Sequence, residues 1–460
     1  MRIFRILRSG HFAPALLLIA AGGTNVYSQE QVFTPAAEQF FAAESMPAAI
    51  GTQHDAAPLT LTQIEQFALA NNPSLSSAQA TSSKAAGLLN QVGTRPNPTA
   101  GYFGMQIADE GTDQHGLYVE QEFVRGKKLQ LNREVLRHTV NAQRWEAEVQ
   151  RNRVLTDLRV RFFEAAAAQL QLDAIAEFSQ VASRGVDVAA ARLKAQEASR
   201  VELLQAKIMY NTVQLSQQQT DAVYRGAWKD LAAVAGLPAT EPLRLATALT
   251  TPAAVPDWEQ TYADLLTQSP ELAVANALVC EKRAHLKRQK AQPTPNLMAQ
   301  FGAGYDRATD SGLINLQFAA PLPISNRNSG NVSAAYADYV RAVENVNRIK
   351  LAIRSRLARV AQAFEASFAA VQKYQQEILP QAKESLDLSQ EAYEAGELDF
   401  LQVLVVRRRY FDSNLDFIQA QSELAQAEAK IEGLLLTGGL DAPQDHTSGD
   451  GLRGQSFGGQ

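Results

Sequence analysis

The 460-residue sequence is poor in several features at once, and each absence narrows what it can be. A single cysteine, Cys280, rules out an intramolecular disulfide. After the N-terminus no stretch approaches the ~20 apolar residues that a spanning helix needs, so the chain is not an α-helical membrane protein. Basic residues are not in excess: 43 Lys and Arg stand against 48 Asp and Glu, which gives no basis for nucleic-acid binding. The six histidines (His11, His54, His115, His138, His285 and His446) are scattered, with no two at ligand spacing, so no metal site is expected. No Gly-rich phosphate loop occurs, since Gly104 and Gly302–Gly304 read as strand glycines, and no cofactor is expected. No Ser/His/Asp context for a nucleophile is found, so the chain reads as no enzyme. Proline is missing from 99–237 and again from 324–379.

Those proline-free windows carry long helical patterns. In the second, Ile353, Leu357, Val360, Phe364, Phe368, Val371, Tyr374 and Ile378 recur at steps of three and four, a near-heptad stripe. One helix over 328–392 would span on the order of 100 Å at ~1.5 Å per residue, with Pro380 bending rather than ending it. A compact globular domain has no room for such a rod.

The chain is also written twice. Asn72-Pro73-Ser74-Leu75 returns as Ser269-Pro270-Glu271-Leu272, and Arg95-Pro96-Asn97-Pro98 as Thr294-Pro295-Asn296-Leu297. Val201–Gln205 likewise returns as Leu398–Gln402. The chain therefore divides into a first repeat at 59–237, a Pro-rich linker at 238–258 and a second repeat at 259–437. Before them, Arg2, Arg5, Arg8 and the apolar run Pro14–Ala21 form a signal peptide over 1–28, followed by a loosely ordered arm at 29–58. Residues 438–460 read as a disordered C-terminal tail.

Each repeat holds one interruption of period two. In the first, at about 99–124, Gly101, Phe103, Met105 and Ile107 alternate with Tyr102, Gly104 and Gln106. Past a polar tip at 109–116, Leu117, Val119 and Phe123 oppose Tyr118, Glu120 and Glu122. In the second, at about 297–320, Leu297, Ala299, Phe301, Ala303 and Tyr305 lead through a tip at 306–312 to Ile314, Leu316 and Phe318. Alternation in segments of about ten residues is the pattern of transmembrane β-hairpins, and the acids opposite the apolar rows would line a polar lumen. Four strands cannot close a barrel in lipid, so the chain must assemble with copies of itself.

Over residues 59–437 the chain resembles the TolC-like outer-membrane efflux factors, most nearly their heavy-metal (cobalt–zinc–cadmium) branch. The motifs that carry the likeness are Ala70-Asn71-Asn72-Pro73-Ser74-Leu75, Pro96-Asn97-Pro98, Pro321–Gly330 and Tyr393–Leu404, in this order and duplicated. The resemblance implies a mainly α fold with a small transmembrane β part. Long helical hairpins would form a periplasmic α-barrel, and four β-strands per chain would close as a trimeric twelve-stranded barrel. It implies a homotrimer in outer-membrane lipid, bound through a periplasmic adaptor (membrane fusion) protein to an inner-membrane pump. The chain would be a passive conduit for small molecules or metal ions.

In that family the helix-hairpin tips meet the adaptor. Here these are Ala198, Ser199 and Arg200, and Ala395, Gly396, Glu397 and Leu398, with Tyr393–Asp399 aligned to Gln196–Glu202. Some members carry acids just past the tip that constrict the tube mouth. Counting from Gly396 places Gln402 and Val405 there, so the acidic ring is absent at those positions. Asp399, Glu202 and Arg408, within Arg407–Arg409, are the remaining candidates for a charged mouth. A soluble periplasmic coiled-coil scaffold is the alternative: it needs the rods but no lipid-facing strands. A periplasmic enzyme would need a clustered polar pocket that the sequence does not offer.

Overall fold

The computed structural model describes residues 58–447, apart from 109, 110, 197, 239, 240, 247, 248, 250, 251 and 253. The expected signal peptide and nearly all of the N-terminal arm lie outside the described residues. The first repeat runs α1 (Leu61–Asn71), α2 (Pro73–Val92), β1 (Thr99–Met105), β2 (Gln114–Phe123), α3 (Lys128–Lys194) and α4 (Arg200–Ala235). The second runs α5 (Trp258–Gln268), α6 (Pro270–Ala291), β3 (Leu297–Asp306), β4 (Ser311–Ala319), α7 (Ser329–Lys373), a π-helical turn (Tyr374–Ile378), α8 (Leu379–Glu394) and α9 (Phe400–Glu432). The duplication is thus a repeat of element order, and it is visible in the caps. Asn72 and Ser269 each cap the helix that follows with a side-chain oxygen, and a proline holds the first helical position after both.

The 67 residues of α3 make a rod of ~100 Å, continuous because nothing in it breaks the backbone ladder. Along α3 the neighbours change in two tiers. It packs on α2 and α6 nearer the sheet, and on α4 and α9 toward the far end; α7 in turn packs on α6 and α9. Ile64, Val154, Leu158, Phe162, Trp228 and Leu231 seal α1, α3 and α4 together. Phe178 of α3 stacks on Phe411 of α9 with ring centroids 4.4 Å apart. Pro380 does not end the rod. The π-helical turn just before it shifts the bonding so that the Leu379 amide donates to the Tyr374 carbonyl, and the helix resumes as α8 with the proline in its first turn.

The four strands form one antiparallel sheet in sequence order, so the two repeats meet where β2 pairs with β3 over ten residues, Gln114↔Asp306 to Phe123↔Leu297. The expected tips shorten slightly, because β2 begins at Gln114 and β4 at Ser311.

Residues 438–447 correct the expectation of a disordered tail. Their backbone amides find acceptors on α3: Gly438 and Gly439 donate to Asp157 Oδ2 (3.0 and 2.7 Å), Gln444 to Glu146 Oε1 (3.2 Å) and His446 to Gln143 Oε1 (3.2 Å). Gln150 Nε2 donates to the Gly439 carbonyl at 2.9 Å, and Lys84 of α2 pairs with Asp445. The segment is a strap held by hydrogen bonds rather than by apolar packing. Residues 448–460 lie outside the described residues.

Candidate functional site

Three regions are candidates for function: the sheet faces, the collar where sheet meets helices, and the two helix-hairpin tips. Strand pairing fixes the faces, because directly paired residues point to the same side. Tyr102, Leu117, Ala303 and Ile314 form one such row, and Ala100, Val119, Phe301 and Leu316 the next. Gln121, Ala299 and Phe318 follow, then Phe123 with Leu297. This face is almost wholly apolar, and its large side chains are exposed. The opposite face carries Tyr118, Glu120, Glu122, Gln300, Asn315 and Gln317.

The parity expected for β2, β3 and β4 holds, but that of β1 is reversed: Tyr102 lies on the apolar face and Phe103 on the polar one. Phe103 belongs there because its ring occupies space left by glycines. A Cβ on Gly116 would lie 2.4 Å from the Phe103 ring and one on Gly302 would lie 3.1 Å from it. Among the described residues, β1 and β4 each keep one edge without a strand partner.

At the collar, both rods start from a left-handed residue, Lys127 (φ 56°) before α3 and Asn328 (φ 59°) before α7. Lys128 Nζ donates to Asn296 Oδ1 at 2.9 Å, and Asn296 Nδ2 donates to Glu122 Oε1 at 2.7 Å, which ties α3, β3 and β2 at one point. Arg288 of α6 is buried and donates from Nε to Asn132 Oδ1 of α3 at 2.6 Å. Burial pushes its guanidinium down to about 10, a basic group still fully charged at neutral pH. Asn328 donates from its amide to the Gln289 carbonyl at 2.9 Å, anchoring the end of the β4–α7 connection to α6.

The tips are geometrically related but held differently. Gly396 takes φ +79°, with its amide on the Tyr393 carbonyl (3.0 Å) and the Glu397 amide on the Ala392 carbonyl (2.8 Å), a Schellman ending. Gln196 takes the matching conformation at φ 64°, and Ser199 and Asp399 are the following N-caps. These matches lie 200 positions apart, which corrects the tip alignment of Tyr393 with Gln196: Gln196 corresponds to Gly396, and Glu202 to Gln402. The first tip is pinned, since Arg192 Nη1 meets the buried Glu202 carboxylate at 3.0 Å and Ser199 Oγ accepts from the Glu202 amide at 3.2 Å. The second has no such ion pair among its described contacts, and instead Tyr393 and Phe400 lie with ring centroids 5.8 Å apart. Ser199, Arg200, Ala395, Gly396 and Glu397 are exposed, and Ala198 and Leu398 are half-buried.

Of the four mouth candidates, Asp399, Gln402 and Val405 are exposed, while Arg408 is turned away. Its Nε donates to both oxygens of Asp412 (2.8 and 3.0 Å), and its guanidinium lies 5.9 Å from the Phe411 ring centre. At ~100° per residue Arg409 falls ~20° from Gln402 around the helix, whereas Arg408 falls ~120° away. Arg409 is the exposed arginine of that stripe, which continues to Asp412 and Asp416. The sequence does not single it out within Arg407–Arg409, because three consecutive arginines look alike until the helix face is known. Among the described residues no group of three or more His, Cys, Asp or Glu could hold a metal, and no helix is long and apolar enough to cross a membrane.

Long helix hairpins joined to a small antiparallel sheet are the fold that the chain shares with solved outer-membrane proteins. The sequence profile of the outer membrane efflux protein family matches residues 261–435, within the second repeat. Among curated proteins, the cobalt-zinc-cadmium resistance protein CzcC of Cupriavidus metallidurans is similar: 23% identical over 386 residues, covering 83% of this chain and 90% of that protein. Among solved structures, the outer membrane protein VceC of Vibrio cholerae superposes with a TM-score of 0.67 at 20% identity, covering 82% of this chain and 96% of that one. The CmeC outer membrane channel of Campylobacter jejuni gives 0.67 at 16% identity, covering 85% and 88%.

Proposed function

We propose that the chain is the outer-membrane conduit of a tripartite efflux assembly and works as a homotrimer. The observation that carries this reading is a sheet with one apolar and one polar face and two open antiparallel edges. In lipid an unpaired strand edge leaves backbone groups without partners, at a cost of several kcal/mol for each. Pairing β4 of one copy with β1 of the next is antiparallel by direction, and three copies close twelve strands. The helices agree with it. On the flank made by α2 and α4, Val201, Leu204, Ile208, Leu215 and Val223 form an exposed apolar stripe along α4. On the other flank, α7 and α8 expose Tyr336, Val340, Leu351 and Leu388, surfaces that a neighbouring copy would cover.

In this reading the polar sheet face lines the pore and the helices form a periplasmic tube. Both tips, including Ala198–Arg200 and Ala395–Leu398, meet a periplasmic adaptor and through it an inner-membrane pump. The mouth is lined by the stripe Gln402, Val405 and Arg409 rather than by an acid ring, with Asp399 at its rim. The likeness to a cobalt-zinc-cadmium resistance protein supports divalent metal cations as cargo. The chain itself catalyses nothing, and specificity rests with the pump. The test is oligomer mass in detergent together with single-channel conductance in a planar bilayer. A trimer with small discrete steps, made more cation-selective by Arg409→Glu, is expected. A silent monomer that is stable without detergent would refute the conduit and favour a soluble scaffold.

A further inference from the structure

The two repeats differ most where the sheet hands over to the rods. β2 reaches α3 through residues 124–127, whereas β4 reaches α7 through 320–328. Four residues suffice for the geometry, so the second connection carries five more than it needs. The surplus includes Pro321-Leu322-Pro323-Ile324, and Leu322 and Ile324 are each 74% exposed, among the barest large apolar side chains of the described residues.

The connection prolongs the apolar run of β4. Ile314, Leu316 and Phe318 stand on the apolar face at alternate positions, and past the strand end the exposed Leu322 and Ile324 follow in a segment that turns at Ile324. No Asp, Glu, Lys or Arg occurs from Ser311 to Asn326, and the first charge is the exposed Arg327. Pro321 and Pro323 have no amide hydrogen, and the Ile324 amide donates to the Leu322 carbonyl at 2.8 Å. The backbone donors that would resist leaving water are thereby few. Asn328 fixes the end of the segment to α6 through the Gln289 carbonyl, so the segment is held at the collar.

We propose that residues 321–324 are a lipid-inserting anchor, entering the periplasm-facing leaflet at the base of the sheet with Arg327 at the phosphate headgroups. The occupant is lipid rather than another copy of the chain, because the exposed apolar run follows directly on the strand whose apolar face would meet lipid and ends on a cation, as an interfacial segment does. This rests on the membrane-barrel reading above.

The test uses full-length protein in vesicles of phosphatidylethanolamine and phosphatidylglycerol, in a Cys280→Ser background. A nitroxide is placed on Ile324→Cys, or on Leu316→Cys as the reference. Collision with oxygen, which concentrates in lipid, is compared with collision with a water-soluble nickel chelate. Oxygen-dominated relaxation at 324, within about twofold of that at 316, supports the anchor. Relaxation dominated by nickel means that the segment lies in water, and low accessibility to both means that another copy covers it; either overturns the proposal. If 316 itself fails to show oxygen access, the barrel reading falls, a result distinguishable from failure of the anchor alone.

Discussion

Replacing Gly304 by alanine is expected to disable the sheet, although the change adds one methyl group to a strand. Gly304 sits opposite Gly116 in the β2–β3 pairing that joins the repeats. An ideal Cβ at 304 would lie 2.2 Å from the His115 carbonyl oxygen and 2.7 Å from the Gly116 Cα, both backbone atoms that cannot swing away. Restoring an ordinary contact requires the strands to part by about 1 Å, which lengthens a ~2.9 Å ladder bond beyond the hydrogen-bonding range. Losing two such bonds costs about 1–3 kcal/mol in water. The cost rises where lipid leaves the freed groups unsatisfied, so about 3–5 kcal/mol is expected in a bilayer. The control is Gly312→Ala on β4, where the nearest atom to the added carbon is 3.9 Å away, an ordinary contact. Refolding into detergent or vesicles, followed by heat-dependent gel mobility and β-sheet circular dichroism, should show Gly304→Ala failing and Gly312→Ala assembling normally. Equal assembly of the two variants would refute the reasoning, because the chemical change is identical and only the backbone distance differs.

Three further expectations concern the helices and the strap. Phe411→Ala removes the buried stack on Phe178 that joins α3 to α9, and should cost about 3–5 kcal/mol in denaturant unfolding; a loss below 1 kcal/mol would mean the stack is dispensable. Deleting Gln376 removes the residue that widens the π-helical turn, which forces regular α winding onto Pro380 and strains the entry to α8. Protease should then cut at 395–399 while the sheet stays folded, and an unchanged digestion pattern would deny the turn its role. For Asp445, burial opposes ionisation, but hydrogen bonds from Lys84 and Thr447 overcome it and hold the carboxyl down at about 2, below its ordinary 3.8. A depressed carboxyl stabilises above its unfolded pKa, so the strap should loosen as pH falls from about 4 to 2, and Glu146, also lowered, acts in the same sense. Hydrogen exchange over 438–447, corrected for intrinsic rates, would show it; constant protection across that range would contradict it.

The rods and the hairpins are legible in the sequence because each rests on a period that a single segment displays. The β1 parity is not: Tyr102 and Phe103 are both aromatic, and the choice between them is made by Gly116 and Gly302, distant in sequence. The strap escapes for a related reason. Its own residues are polar and turn-forming, and what orders them is a line of buried polar side chains on α3, Gln143, Glu146 and Gln150 with the half-buried Asp157, that reads as an ordinary solvated helix face. The tip register slips by three positions because the second copy gains residues before its rod begins: α2 and α6 start 197 positions apart, whereas α3 and α7 start 201 apart, the longer β4–α7 connection lying between. Arg409 was hidden among its neighbours until the face of α9 was fixed by Val403, Leu404 and Phe411 turning inward.

The joint between β2 and β3 has a consequence for symmetry. Within one chain it is the same kind of seam that three copies would form between β4 and β1, so the proposed ring consists of six pseudo-equivalent units wired in pairs by the linker between α4 and α5. Such wiring frees the two members of a pair to diverge, and they have done so at the far end. One tip is clamped by Arg192 and Glu202, while the other, with Gln402 in the matching place, has an aromatic contact and a glycine turn. Around such a ring, clamped and unclamped tips would alternate, so a partner that engages all six would find a threefold pattern of stiffness on a sixfold outline.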